Sequence, residues 1–365
     1  MTSATLAAIS LLLAAIHFGF PAAYFAYLKI PRGLRALRDA SYRPRVAVIV
    51  PTYMEADRIE RKLDEIYSQD YPRDRLKIVV VDGASPDGTA EAADRWARAH
   101  NDVEVVVVRE QERRGKGVAL NEALKYADGD VVVLADADAS WASRDALAKA
   151  VSYLADPSVG GVTCVKSPAV EGPAAAEAEY RRHYDSVRIA ESAVFSTPIF
   201  HGELAAVKRK LVDAFPTDLG ADDSWTAVSL ALRGYRAIAA PDVECVEAVP
   251  KRGYFRWRVR RAQHLIQAFA KALPRIPKAP RGFRAVLASE AFLHLVNPWL
   301  FAGALAAATA AAAAGSRLAI ALLAAGAAAL ALPLYRSWLV MQIALITAAV
   351  RNIWKKELIW RKEEK

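Results

Sequence analysis

Asp130-Val131-Val132-Val133-Leu134-Ala135-Asp136-Ala137-Asp138-Ala139-Ser140 is the stretch on which the reading of the chain turns. Its four apolar residues, Val131 to Leu134, have the length and β-branched content of a strand buried on both faces. The run leads into two carboxylates, Asp136 and Asp138, at the strand's C-terminal end. In an open α/β sheet ligands bind along that edge, so an Asp-x-Asp there can hold a divalent cation by oxygen while the cation holds a diphosphate. The other reading of the same residues is that the two acids only cap a helix begun at Ser140.

On either side of this stretch, short apolar runs alternate with amphipathic ones. Strands are expected at 46–50, 78–81, 103–108, 131–134 and 161–165, with helices at 56–69, 89–100, 117–126 and 144–154. That alternation is the signature of an α/β domain, a mostly parallel sheet covered on both faces. No Gly-x-Gly-x-x-Gly follows the first strand and no Gly-x-x-x-x-Gly-Lys-Ser/Thr occurs, so neither a dinucleotide oxidoreductase nor a P-loop nucleotidase is supported. Each strand instead ends in polar residues: Pro51-Thr52-Tyr53-Met54-Glu55, then Asp82-Gly83-Ala84-Ser85-Pro86-Asp87-Gly88-Thr89, then Arg113-Arg114-Gly115-Lys116-Gly117. In the last, glycines let backbone approach an anion that Lys and Arg neutralise. Further on, 180–192 reads as a helix and Phe200-His201-Gly202-Glu203 as a strand and turn. Asp222 and Asp223 open an amphipathic helix that closes at Gly234, and acids there also complement a helix dipole.

The chain has 365 residues, 54% of them hydrophobic, and a net charge of +9. The apolar excess lies at the two ends and the basic residues cluster beside it, which points to a membrane surface rather than nucleic acid. Residues 5–28 are long enough to span a bilayer and are followed by Lys29, Arg32, Arg35 and Arg38. A signal peptide has the reverse charge order. The positive-inside rule then puts Met1 outside and the following domain in the cytoplasm. Two further spans are expected at 283–314 and 317–334. Residues 334–354 are read as interfacial, since a fourth span would carry Lys355, Lys356, Arg361 and Lys362 outside. Glu290 and His294, one turn apart, either line an acceptor groove or pair with each other. Between domain and spans, Tyr254 to Arg261 is basic and aromatic. Arg258 and Arg261 share a helix face and can reach a diphosphate leaving group, or snorkel to lipid headgroups. The expected organisation is an N-terminal span and basic flank (1–40), a catalytic domain (41–250), a basic interfacial helix (251–282), two spans (283–334) and an interfacial C-terminal helix with a basic tail (335–365). Cys164 and Cys245 lack metal or redox spacing and read as buried thiols, with a disulfide between them left open.

Taken together, V-x-V-P-T-Y-x-E at 48–55, V-D-G-x-S-x-D-G-T at 81–89, R-G-K-G-x-A-L-N at 114–121, D-A-D at 136–138 and the acid pair at 222–223 resemble the family 2 glycosyltransferases, over roughly 45–263. The resemblance implies a GT-A fold and metal-dependent, inverting transfer from a nucleotide-diphosphate sugar. It implies that Asp82 binds the nucleotide base beside Pro51, Thr52, Tyr53 and Glu55, that Asp136 and Asp138 serve the ribose and an Mn2+ or Mg2+ ion, that Lys116 lies near the donor and that Asp223 is the catalytic base. Met54 stands where the family usually has Asn, and Gly83 where it often has Asp. Where cellulose-synthase-like members carry Q-x-x-R-W, this chain has Arg258, Arg261 and Ala262, without the Trp that would stack on a growing polymer.

The expectation is therefore a multi-pass enzyme of the cell membrane, its catalytic domain cytoplasmic. It moves a sugar from GDP-mannose, or second from UDP-glucose, to a lipid-linked acceptor such as dolichyl or undecaprenyl phosphate or a lipid-linked glycan, as resemblance to dolichol-phosphate mannose synthases suggests. The competing expectations are a multi-copy polysaccharide synthase and a non-catalytic membrane scaffold.

Overall fold

The computed structural model of the protein describes residues 1–166, 174–247, 250 and 252–359. A long helix, α1 (Ser3–Leu28), precedes the α/β domain. In chain order the domain has β1 (Val46–Thr52), α2 (Ile59–Tyr67), β2 (Leu76–Asp82), α3 (Thr89–Ala99), β3 (Glu104–Arg109), α4 (Lys116–Leu124) and β4 (Val131–Leu134). It continues with β5 (Ala139–Trp141), α5 (Ala146–Ser152), β6 (Val159–Lys166), α6 (Ala174–Val194), β7 (Ala205–Lys208), α7 (Asp222–Leu232) and β8 (Arg236–Glu247). Five helices complete the described chain: α8 (Tyr254–Ala272), α9 (Arg281–Leu295), α10 (Asn297–Ala313), α11 (Arg317–Ala329) and α12 (Pro333–Trp354).

The eight strands form one sheet in the order β3-β2-β1-β4-β7-β6-β8-β5. β3, β2, β1 and β4 run parallel, and the near-continuous Val and Ile runs of β2, β1 and β4 fit strands covered on both faces, while β3 at the sheet edge is half-buried. Val46, Val48 and Val50 pack on one face against Ile59, Leu63 and Ile66 of α2, while Ala47 and Ile49 face Leu120 and Ala123 of α4 on the other. β7 is antiparallel to both β4 and β6, so the sheet is mixed beyond β4. The consequence for function is local: β4 ends at Leu134, and Asp136 and Asp138 follow at the C-terminal edge. Ser140 lies in β5, paired with Val246, which removes the reading of the two acids as caps of a following helix.

The apolar ends depart from expectation. α1 and α12 are each long and apolar enough to cross a membrane, and α9 with α10 qualifies as one span bent by 41°. α11, expected to cross, has only 13 residues, short of the roughly 20 a span needs. α12, expected to be interfacial, runs for 22 residues because its flanking Arg336 and Arg351 both fall inside one unbroken helix. Cys164 and Cys245 sit on the neighbouring strands β6 and β8 as buried, free thiols.

Candidate active site

A cavity of about 340 Å³ opens over the C-terminal edge of the sheet. From the end of β1 and the turn after it come Pro51, Thr52, Tyr53 and Glu55, from the segment after β4 Asp136 and Asp138, and from the start of α7 Asp222 and Asp223. Lys116 opens α4, so its ammonium starts from a helix N-terminus pointed at the cavity, as the glycine-flanked Arg-Gly-Lys sequence requires. It donates to Asp136 Oδ1 at 2.7 Å and lies 3.5 Å from Asp222 Oδ2. Burial works against its charge, but the Asp136, Asp222 and Asp223 carboxylates outweigh burial and hold it well above the usual lysine range. Gly202 faces this pair: a Cβ there would stand 2.8 Å from Asp136 Oδ2 and 2.9 Å from Lys116 Nζ, so only glycine leaves the two room.

Asp223 is the acid with the most altered chemistry at this edge. Burial, then the neighbouring Asp222 carboxylate, push it up to about 7 against the pull of Lys116, which leaves it able to take and return a proton near neutrality. Its Oδ1 accepts the backbone N–H of Ser224 at 2.6 Å.

The expected donor residues divide. Arg113 stacks on Tyr53, its guanidinium carbon 3.4 Å from the ring centroid, making a flat cationic wall beside Gly83. Asp82 does not line the cavity. It is buried and accepts hydrogen bonds from Thr52 Oγ1 (3.1 Å), Ser85 Oγ (2.6 Å) and Ser85 N–H (2.9 Å), which lock the loop after β2 against the end of β1. Met54 next to it has φ +58, a conformation Asn adopts more readily than Met, which is a physical reason for the usual Asn at that position.

Arg258 and Arg261 of α8 both line the cavity. Arg258 Nε donates to the Tyr254 hydroxyl at 2.8 Å. Arg261 Nη1 grips both oxygens of Glu247, at 2.9 and 2.8 Å, over the face of Trp257. Glu247 also receives Lys166, whose Nζ lies 2.7 Å from Oε2 and 2.5 Å from Glu203 Oε1. Burial opposes the Glu203 charge, but Lys166 overrides it and holds the carboxyl down at about 2. Burial first, then Lys166, keep His201 well below the usual histidine range and neutral. Lys166, Glu203, Glu247 and Arg181 carried no sequence signal: they stand alone at strand ends and on α6, and only the sheet topology brings them together.

The cavity then leaves the sheet and runs between helices. Tyr184, Asp185 and Arg188 of α6, His294 of α9 and Met341 and Leu345 of α12 line its far end. His294 answers both readings given for it, since its Nδ1 lies 2.8 Å from the Glu290 carbonyl and 3.4 Å from Glu290 Oε2 while the residue lines the cavity.

Asp136 and Asp138 offer hard oxygen donors suited to Mn2+ or Mg2+, and Lys116 already marks Asp136 as a place for positive charge. Among the described residues no group of three His, Cys, Asp or Glu forms a complete protein cage. A divalent ion held by two carboxylates keeps open positions for diphosphate oxygens, so the donor set fits.

Residues 44–268 match the glycosyltransferase like family 2 model, and the chain belongs to that family. It is a glycosyltransferase with a GT-A-like fold. Its structure is similar to that of the mannosyltransferase PcManGT from Pyrobaculum calidifontis, solved in complex with GDP-Man and Mn2+, with a TM-score of 0.88 and 57% identity over 96% of this chain and 100% of that one. Among curated relatives, glycosyltransferase AglE of Haloferax volcanii is 35% identical over 105 residues, 28% of this chain and 34% of the relative. The poly-beta-1,6-N-acetyl-D-glucosamine synthase of Staphylococcus aureus is 28% identical over 229 residues, 60% of this chain and 54% of the relative. The chain thus spans about a third to a half of the length of these two curated relatives.

Proposed function

We propose that the protein is an inverting, metal-dependent mannosyltransferase that uses GDP-mannose and a lipid-linked acceptor at a membrane. The observation that carries this reading is the continuity of one cavity from Asp136 and Asp138 to Met341 and Leu345 on an apolar helix. A donor on the sheet edge and a lipid-borne acceptor between helices would meet at Asp223. The likeness to a mannosyltransferase holding GDP-Man and Mn2+ supports the donor and the metal.

When bound, a divalent cation on Asp136 and Asp138 neutralises charge that develops on the leaving nucleoside diphosphate. The chain's own residues do the rest. Lys116, already anchored to Asp136, adds a fixed positive charge on the same side. Arg258 lines the route out, and Arg261 adds to it by exchanging part of its grip on Glu247 for phosphate oxygens. Asp223 takes the proton of the acceptor hydroxyl as the new glycosidic bond forms at the face opposite the departing diphosphate.

The test is GDP release and transfer by the purified enzyme in detergent, across GDP-mannose and UDP-glucose, with Mn2+, Mg2+ or chelator, and with dolichyl phosphate or a dolichyl-linked glycan. GDP-mannose with a divalent ion and a lipid acceptor should be turned over, and Asp138→Ala should abolish the response to metal while leaving the melting temperature within a few degrees. Full activity in excess chelator sinks the metal role, and turnover of UDP-glucose alone sinks the donor assignment.

A further inference from the structure

We propose that Gln267 and Asn352 are positioning residues for Asp223, which tie the loop leading into the helix that carries the base to the last helix of the described chain. The inference rests on Asp223 acting as the base.

The loop before α7 lies hard against α8. A Cβ on Gly220 would stand 2.3 Å from Cδ2 and Nε2 of His264, so the backbone three residues before Asp223 touches the helix with no space for a side chain. One hydrogen bond fixes its height along that helix: the Gly220 N–H donates to Gln267 Oε1 at 3.0 Å. The other end of the same amide continues the chain of contacts, Gln267 Nε2 donating to Asn352 Oδ1 at 2.9 Å. Asn352 sits in the last turn of α12, and its Nδ2 donates to the Gln263 carbonyl at 3.2 Å. Gln263 Nε2 reaches the Lys355 carbonyl at 3.1 Å, and His264 Nε2 lies 2.9 Å from the Glu357 carbonyl. The segment after α12 is thus folded back on the face of α8 that seats Gly220.

Neither Gln267 nor Asn352 lines the cavity, so their effect on chemistry has to pass through the loop. The link is directional and made of buried or half-buried neutral amides, which fix position without adding a charge to the site. The same α12 supplies Met341 and Leu345 to the acceptor end of the cavity, Met341 being 11 residues, or about 16 Å of helix, from Asn352. One rigid element therefore touches the place of the acceptor and holds the residue that must take the acceptor's proton.

Misplacing a reacting group by about 1 Å can cost ~100-fold in rate. The full-length enzyme with GDP-mannose and its lipid acceptor, and its Asp223→Asn variant, are measured first: no wild-type turnover, or no loss in Asp223→Asn, counts against the functional reading itself. Given both, Gln267→Leu and Asn352→Leu should each lower kcat by about 10- to 100-fold while the KM for GDP-mannose, bound at the distant sheet edge, moves by less than about threefold. In the Asp223→Asn background the same two substitutions should cause no further loss, since a residue that acts through the base has nothing left to position. Gln267→Glu keeps the acceptor for the Gly220 N–H and gives up the donor to Asn352. It should reproduce the Asn352→Leu loss, and it serves in place of Gln267→Leu if that variant does not fold. An unchanged kcat, or losses that simply multiply with that of Asp223→Asn, would overturn the proposal.

Discussion

The proton on Asp223 sets stability and activity against each other. Burial and the adjacent Asp222 raise its pKa from the ordinary 3.8 to about 7. Between those two pH values the folded protein holds a proton that the unfolded chain has lost, so this group's contribution to stability is complete below about pH 4 and declines as pH rises through 7. Asp223→Asn stays neutral throughout. In metal-free enzyme that variant should melt higher than wild type at pH 8 and lose the advantage towards pH 4, a difference that thermal unfolding at a series of pH values reads directly. Activity has the opposite sign, because a base must be ionised to accept a proton. With a hydroxyl acceptor, turnover should rise with pH as Asp223 ionises, and Asp223→Asn should cost about 10²- to 10⁴-fold. A lipid phosphate, whose second pKa is roughly 6, needs little deprotonation, so the loss with that acceptor should shrink as pH rises through 6. A loss equally deep at pH 6 and pH 8 with lipid phosphate would show that Asp223 does more than orient it.

Among the elements, α6 joins the apolar helices α1 and α9 to the catalytic domain through charge. Arg188 Nη1 lies 2.9 Å from Glu191 Oε2 and 3.1 Å from Glu290 Oε1 on α9, and Tyr24 of α1 donates to Glu191 Oε1 at 2.7 Å. One guanidinium serves two buried carboxylates. Burial is the main reason that Glu191 rises to about 8, against the pull of Arg188, and the neighbouring Glu290 carboxylate adds to it, so Glu191 keeps its proton at neutral pH. Arg188→Leu removes the cation the two acids share and should destabilise the protein by about 3–5 kcal/mol, read as a lowered melting temperature in detergent. A melting temperature equal to wild type would mean that the cluster is not what holds α1, α6 and α9 together. None of this cluster except Glu290 stands out in the sequence, because Arg188 and Glu191 sit in a helix that also carries Arg181, Arg182 and Asp185, and nothing in the charge pattern marks which of them are buried. What was legible at this scale follows from burial. β1, β2 and β4 show as apolar runs because both faces are covered, and Asp136, Asp138, Lys116 and Asp223 converge because each follows or opens an element at the same edge. β8, the longest strand, was not expected: Pro241 interrupts it and its second half alternates buried with exposed residues. The part Asp82 plays in its own loop is not legible either, since an acid at a strand end reads alike whether it faces ligand or fastens the turn that follows.

For the whole molecule, the contacts of the C-terminal segment constrain how the chain can cross a bilayer. Glu357 and Leu358, beyond α12, touch His264 of α8 and the backbone at Gly115, so the C-terminal end of α12 must lie on the same side as the catalytic domain. The chain enters that domain from the C-terminal end of α1. If α1 crosses, and α9 with α10 crosses as one bent span, the short α11 remains on the far side and α12 returns. That route gives three crossings, the number expected from hydropathy, with α12 in the place assigned to α11. It also removes the objection that kept α12 at the interface, since Arg351, Lys355 and Lys356 then lie with Lys29, Arg32, Arg35 and Arg38 on the catalytic side, as the positive-inside rule favours. The packing of the ends agrees with it: Ser10 of α1 donates to the Ala304 carbonyl of α10, and Trp338 Nε1 of α12 donates to His17 Nε2 of α1, so α1 is bonded to both of the other candidate spans. Single cysteines introduced into a variant lacking Cys164 and Cys245 test this in intact cells with a membrane-impermeant maleimide. Ser3→Cys and Ser316→Cys should be labelled from outside, whereas Ser41→Cys should react only after the membrane is opened. A reporter fused after Lys365 should lie in the cytoplasm with the catalytic domain. Labelling of Ser316→Cys only after permeabilisation would mean that α9 and α10 do not cross, and an external reporter after Lys365 would be incompatible with the contact between Glu357 and His264.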